Sequence, residues 1–302
     1  MRSRFWFLMS GCLIVIAFGS IAILGLDSQT DHGKGEPKGA AIHWAKGQAP
    51  GQSGRGGKSP NLTYHGGPIM ETTATTAIFW GDSWAYESDA NVKIKVDGID
   101  SFYGGLGDSA YAGTSSEYTD VDGKVTNTIT YNGHLIDKSK ATGGNQTAPI
   151  LAEVCKVISN PVSNGYYPVY VNVKRGNAGF CAWHSYGTCG GTMVQFAFFF
   201  DLDGDVGCDP KDSSHPQGLA ALVNVSGHEI SEARTDPRLN AWYDSSGDEN
   251  SDKCAWTFGP ALLTLTNGTK WKIQGNWSNS AYNLGKSYSD SSGPRGCIDG
   301  PQ

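Results

Sequence analysis

Residues 193–200 (MVQFAFFF) constrain the fold more than any other stretch. The run is rich in aromatic and β-branched residues, so it reads as a strand. It is apolar on both faces, which puts it in the middle of a sheet rather than at an edge. Residues 73–80 (TATTAIFW), 125–131 (VTNTITY) and 167–173 also read as strands. Helices are expected over 91–106, where Ile94, Ile99, Phe102 and Leu106 supply an apolar side, and over 148–158, which has Pro149 near its start and Asn160-Pro161 beyond its end. A third helix is expected over 219–233, between His215-Pro216 and Asp236-Pro237. Strands and helices alternate through the middle of the chain, and short strands and turns follow. The expected class is α+β (mixed α/β) with one central mixed sheet.

The third helix carries Gly227-His228-Glu229-Ile230-Ser231-Glu232. His228 and Glu232 stand at i and i+4, on one helical face, so an imidazole and a carboxylate point at one spot as two metal ligands must. Glu229 flanks that spot, where a general base for a water would stand. The pattern is HExxE and not HExxH. Further ligands are available from the acidic stretch that ends at Cys254, where Glu249 and Asp252 follow His228 by about twenty residues, enough chain to fold back onto the helix. The expected set is His228, Glu232, Glu249 and Asp252 around Zn2+, with Glu229 catalytic. Asp236, at i+8, extends the same face. The plain alternative is a solvated acidic loop whose glutamates pair with Arg234 or Lys253.

A second acidic cluster follows the central strand. Asp201, Asp203 and Asp205 alternate in a glycine-containing turn, with Asp209 beyond, and match the first ligand positions of a Ca2+ loop. Val206 stands where the sharp-turn glycine belongs. His184, between Cys181 and Cys189, offers a fourth metal ligand or a substrate contact, but it and His65 read most simply as loop-filling residues. No G-x-S-x-G elbow is present, which argues against a serine hydrolase.

Arg2 and Arg4 precede an uncharged apolar run from Phe5 to Leu26, so residues 1–26 read as a signal peptide or an N-terminal anchor. Residues 27–61 are rich in Gly, Lys, Gln, Ser and Pro and read as a flexible linker or pro-segment. The folded domain is expected over 62–302. Six cysteines follow the leader, namely Cys155, Cys181, Cys189, Cys208, Cys254 and Cys297, and an even count in an exported chain implies disulfides, with 15 pairings open. Cys181 and Cys189 are near enough in sequence to staple a local loop. Sequons stand at Asn61, Asn145, Asn224, Asn267 and Asn276. The net charge of -6 leaves no basic surplus for nucleic acid, and membrane contact is expected only through an uncleaved leader.

The chain resembles the Exordium-like, phosphate-induced family of secreted proteins. The resemblance rests on Tyr64-His65-Gly66-Gly67-Pro68, the strand ending Phe79-Trp80-Gly81, Gly179-Phe180-Cys181-Ala182-Trp183-His184 and Gly204-Asp205-Val206-Gly207. It continues through the block from Gly227-His228-Glu229 to Glu249-Asn250-Ser251-Asp252-Lys253-Cys254. It implies one domain over about 62–300 and an extracellular or cell-wall location. Plant members are linked to growth and cell expansion, and no firm enzymatic activity accompanies the family. Two functions are therefore expected in competition. One is a secreted zinc hydrolase acting on an extracellular peptide. The other is a non-catalytic extracellular protein, associated with a wall polymer, whose metal site is structural.

Overall fold

The computed structural model describes residues 36–50, 60–85, 88–289 and 291–300. The leader and residues 27–35 and 51–59 of the expected linker lie outside them. A six-stranded sheet forms the centre, built from β1 (Ala41–Trp44), β3 (Thr73–Trp80), β4 (Ile129–Asp137), β5 (Gly165–Lys174), β6 (Phe180–Cys189) and β7 (Thr192–Asp201) in the order β1-β6-β7-β5-β3-β4. Strands β7, β5, β3 and β4 are parallel, and β6 runs antiparallel to both β7 and β1. The sheet is mixed, as expected, and β7 is interior because every residue from Val194 to Phe200 is buried.

Helices α1 (Ala90–Leu106) and α3 (Gln217–Thr235) pack on one face of the sheet, while α2 (Thr147–Val157) packs against β5, β6 and β7. Strict alternation along β6 decides which side chains meet α3. Trp183 stacks on Phe198, whereas the next residue, His184, pairs in register with Ala197 and turns to the opposite face. On that face Tyr170 reaches up to Ser226 of α3 at 2.6 Å and Tyr103 of α1 at 3.0 Å. Strand β1 places His43 opposite Ala182, and so on the α3 side as well.

Beyond α3 the chain forms short pairs. Strand β2 (Thr63–Tyr64) pairs with β8 (Trp242–Tyr243), β9 (Leu263–Thr264) with β10 (Lys270–Trp271), and β11 (Asn276–Trp277) with β12 (Cys297–Ile298), which follows α4 (Asn279–Asn283). This meander covers the far side of α3 through side-chain hydrogen bonds. Asn224 Oδ1 accepts from Gln274 N, Ser251 Oγ donates to the His228 carbonyl, and Asn276 Nδ2 donates to Ser231 Oγ. Every residue from Gly218 to Thr235 is consequently buried, polar ones included.

Four expectations need correction. Residues 27–61 are not wholly linker, because Ala41–Trp44 is an edge strand of the main sheet, its backbone satisfied by β6. The stretch read as a cysteine loop is β6, and Gly190-Gly191, with φ +57° and +90°, closes the β6–β7 hairpin in two residues. Cys181 and Cys189 cannot bridge, since eight steps along an extended strand separate them by roughly 26 Å. The disulfides are Cys155–Cys189, Cys181–Cys208 and Cys254–Cys297. The strand expected over 125–131 starts only at Ile129, because Val125 is tied to Tyr118 and Thr126 to Glu71 before the chain joins β3.

Candidate metal centre

Helix α3 aims His228 and Glu232 as their spacing predicts. His228 Nε2 lies 3.0 Å from Glu232 Oε1. The chain returns at the 3-10 turn Asp252–Cys254, where Asp252 Oδ1 comes to 3.5 Å from the same nitrogen and Asp252 N donates to Glu232 Oε1 at 3.0 Å. Cys254–Cys297 and Ser251 fasten that turn from both sides. Glu249, just upstream, does not join His228. It meets His184 Nε2 at 3.1 Å, and the same nitrogen is 3.7 Å from Glu232 Oε2. Two converging sets result, His228–Glu232–Asp252 and His184–Glu229–Glu232, each with its donor atoms within 4.8 Å of one another.

Sequence reasoning ranked His184 as a loop residue rather than a ligand and did not find His43, which packs beside the centre. His184 reads as a loop residue until the Gly-Gly hairpin signal after Cys189 is recognised. His43 hides in polar composition, where only the short apolar run AIHW marks a strand. His43 is fully buried, its ring 3.7 Å from that of His228 and 4.8 Å from Trp256.

The solvated-loop alternative fails. Glu229 and Glu232 are fully buried, Arg234 is spent on the Ala112 and Thr126 carbonyls, and Lys253 pairs with Asp244 at 2.7 Å. Asp236 takes no part in the ligand face, because its Oδ1 accepts from Asn240 N and Ala241 N in the turn after the helix. The Ca2+ reading fails as well. Asp201 pairs with Lys174 at 2.9 Å and Lys95 at 3.2 Å, Asp203 with Lys95 at 2.6 Å, Asp205 with Arg175 at 2.6 Å and Asp209 with Lys211 at 2.9 Å. Asp201 and Asp203 converge on Lys95, the other two face their own cations, and no three of these carboxylates form a donor cluster as a calcium loop requires. The charge pattern alone could not show this, since Lys95 lies on α1, far back in sequence.

Buried polar atoms are almost always satisfied. Here His43 Nδ1 and Nε2, His184 Nδ1, His228 Nε2, Glu229 Oε1 and Oε2, Glu232 Oε2 and Glu249 Oε1 have no hydrogen-bond partner within the protein. His228 Nε2 approaches Glu232 to 3.0 Å without hydrogen-bond alignment. His184 Nε2 and Glu249 Oε2 are aligned for a hydrogen bond at 3.1 Å, but the other donors crowd together without bonding to one another, as a cation shell looks from outside. Two donors each about 2.0–2.1 Å from a tetrahedral zinc stand roughly 3.3 Å apart, and the four nitrogen–oxygen separations above run from 3.0 to 3.7 Å.

Electrostatics points the same way. Burial, with the neighbouring Glu232 and Asp252 charges, drives the Glu229 carboxyl well above its usual range. Burial pushes Glu232 up to about 8, and raises Glu249 well above normal together with the surrounding acids. Burial pulls His228 down to about 3 and His184 to about 4. Without a cation, the folded chain must keep carboxylates protonated and imidazoles neutral, and a divalent ion inverts that preference.

The fold and site define a disulfide-stapled α+β protein with a buried histidine–carboxylate centre. Compared with curated proteins, the chain matches Protein EXORDIUM-like 5 of Arabidopsis thaliana, 24% identical over 236 residues, 66% of this chain and 65% of that protein. The chain thus spans about two thirds of that relative's length. The chain is similar, at a distance, to an Exordium-like protein. No family model matches it, and no solved structure does. Three disulfides suit an oxidising, extracellular compartment. Among the described residues no helix is long and apolar enough to cross a membrane.

Proposed function

We propose that this chain is an extracellular Exordium-like protein that holds a zinc ion through His228, Glu232 and Asp252, and that the ion is primarily structural. The concentration of unpartnered buried donors carries the reading. Imidazole and carboxylate donors suit Zn2+ among the common divalent ions. Three protein ligands would leave zinc one open position, the pattern of catalytic sites, so burial has to decide whether substrate can reach it. His228, Glu229 and Glu232 are fully buried, and of the donors only the Asp252 side chain, 19% exposed, reaches the surface. The ion would fasten α3 to the turn at Asp252–Cys254. Metal analysis of the purified protein tests this. Bound zinc that survives dialysis, and is lost in His228→Ala, is expected, while a metal-free protein that folds with full stability refutes it.

Glu229 favours a second reading, the zinc hydrolase. Both its oxygens lack a partner in the protein, and it stands beside the ligand Glu232. Zinc would supply Lewis acidity there, and Glu229 would hold a proton. Peptide hydrolysis by the wild type that disappears in Glu229→Gln, with zinc retained, supports it. No hydrolysis by either protein leaves the structural reading alone.

A further inference from the structure

We propose that the centre holds two divalent cations, bridged by the Glu232 carboxylate, one between His228 and Asp252 and the other among His184, Glu229 and Glu249. This rests on the metal-binding reading above and deepens it.

The two oxygens of Glu232 face different partners. Oε1 lies 3.0 Å from His228 Nε2, and Oε2 lies 3.7 Å from His184 Nε2. The donors fall into two sets that share Glu232 and divide the histidines between them. A carboxylate with one oxygen on each side is a natural bridge for paired ions, which in two-metal sites stand about 3.5–4 Å apart. A single ion at His228 would leave the other set unanswered. Glu229 would keep two unpartnered oxygens and Glu249 one, in a fully buried setting.

Formal charge gives an independent count. Glu229, Glu232, Glu249 and Asp252 bring four negative charges when ionised, and neutral imidazoles bring none. Among the described residues no lysine or arginine pairs with Glu229, Glu232 or Glu249. One divalent ion would leave two of the acids either charged without compensation inside the protein, a severe cost, or protonated as in the metal-free chain. Two divalent ions neutralise the cluster. The second ion would tie β6 of the sheet to the loop that carries Glu249, as the first ties α3 to the turn that carries Asp252.

Equilibrium dialysis against Zn2+, followed by metal analysis, counts the ions. Two equivalents per chain are expected for the wild type. One is expected for His184→Ala and one for Asp252→Ala, which each remove a donor from a single set. Titration of the metal-free wild type with Mn2+, followed by electron paramagnetic resonance, needs no variant to fold. The first equivalent should give an isolated-ion spectrum, and the second should replace it with that of an exchange-coupled pair. Saturation at one equivalent, with His184→Ala unchanged, overturns the two-ion proposal and spares the metal-binding reading. Zero equivalents in the folded wild type overturns both.

Discussion

Removing metal from the folded protein should destabilise it in a way that grows with pH. Without a cation, burial holds the Glu232 carboxyl at about 8 against an ordinary 4.5. Between those values the folded chain keeps a proton that the unfolded chain releases, so stability falls as pH rises. At about 1.4 kcal/mol per unit, the full shift amounts to about 5 kcal/mol above pH 8. Glu229 and Glu249 shift in the same direction and add to the effect. The imidazoles act oppositely, since His228, lowered from 6.5 to about 3, costs stability as pH falls below 6.5. Zinc replaces the carboxylate protons, so the loaded protein escapes the high-pH loss. A domain of this size shifts its Tm by roughly 2–4 °C per kcal/mol, which makes the expected gap at pH 8 roughly 10–20 °C. Differential scanning calorimetry at pH 5.5, 6.8 and 8, with chelator or with excess Zn2+, measures it. The gap should widen with each step up in pH. Coincident curves throughout, or a gap that widens toward acid, would refute the electrostatic reasoning.

The Gln274 side-chain amide lies 2.9 Å from both His228 Nδ1 and the Ser251 carbonyl, and so fixes the ring against the Asp252 turn. Gln274→Ala should weaken zinc affinity by about 10–100-fold, measured by competition with a chromophoric chelator. The Cys254→Ser, Cys297→Ser pair should lower stability by about 2–5 kcal/mol in urea titrations and increase zinc exchange, because that bridge anchors the same turn. At Gly107 an added Cβ would come to 2.1 Å from the backbone oxygen of Ile129. Gly107→Ala should therefore cost at least about 1–3 kcal/mol in the same assay. In a eukaryotic secretory host, peptide mapping should find glycan on exposed Asn145 and none on Asn224 or Asn276, which are fully buried.

Regular, strongly patterned elements were legible from residues alone. Thr73–Trp80 is the strand its β-branched run predicts, and the helix carrying HExxE extends only two residues beyond the expected range at each end. His228, Glu232 and Asp252 converge because helical spacing and a reachable loop are local properties. His184 and His43 were illegible for a different reason. Each owes its position to register across the sheet, and β6 must be recognised as a strand before alternation can turn His184 toward α3. The aspartate turn misled in the converse way. Its spacing suits Ca2+, but the lysines and arginine that neutralise it arrive from α1 and from the end of β5 and the residue after it. The helix face also gave no hint that its polar residues would be enclosed, because the meander that encloses them is mostly turns.

Strand β1 is four residues long, yet it is what stands between β6 and open water. A chain trimmed to begin at Leu62 would expose unpaired peptide groups along residues 180–184 of β6, free to dock the corresponding border of a neighbour. It would also leave the His228 ring without the imidazole packed against it. Proteolysis anywhere between Trp44 and Leu62 followed by loss of the fragment would thus turn a self-contained molecule into a sticky one.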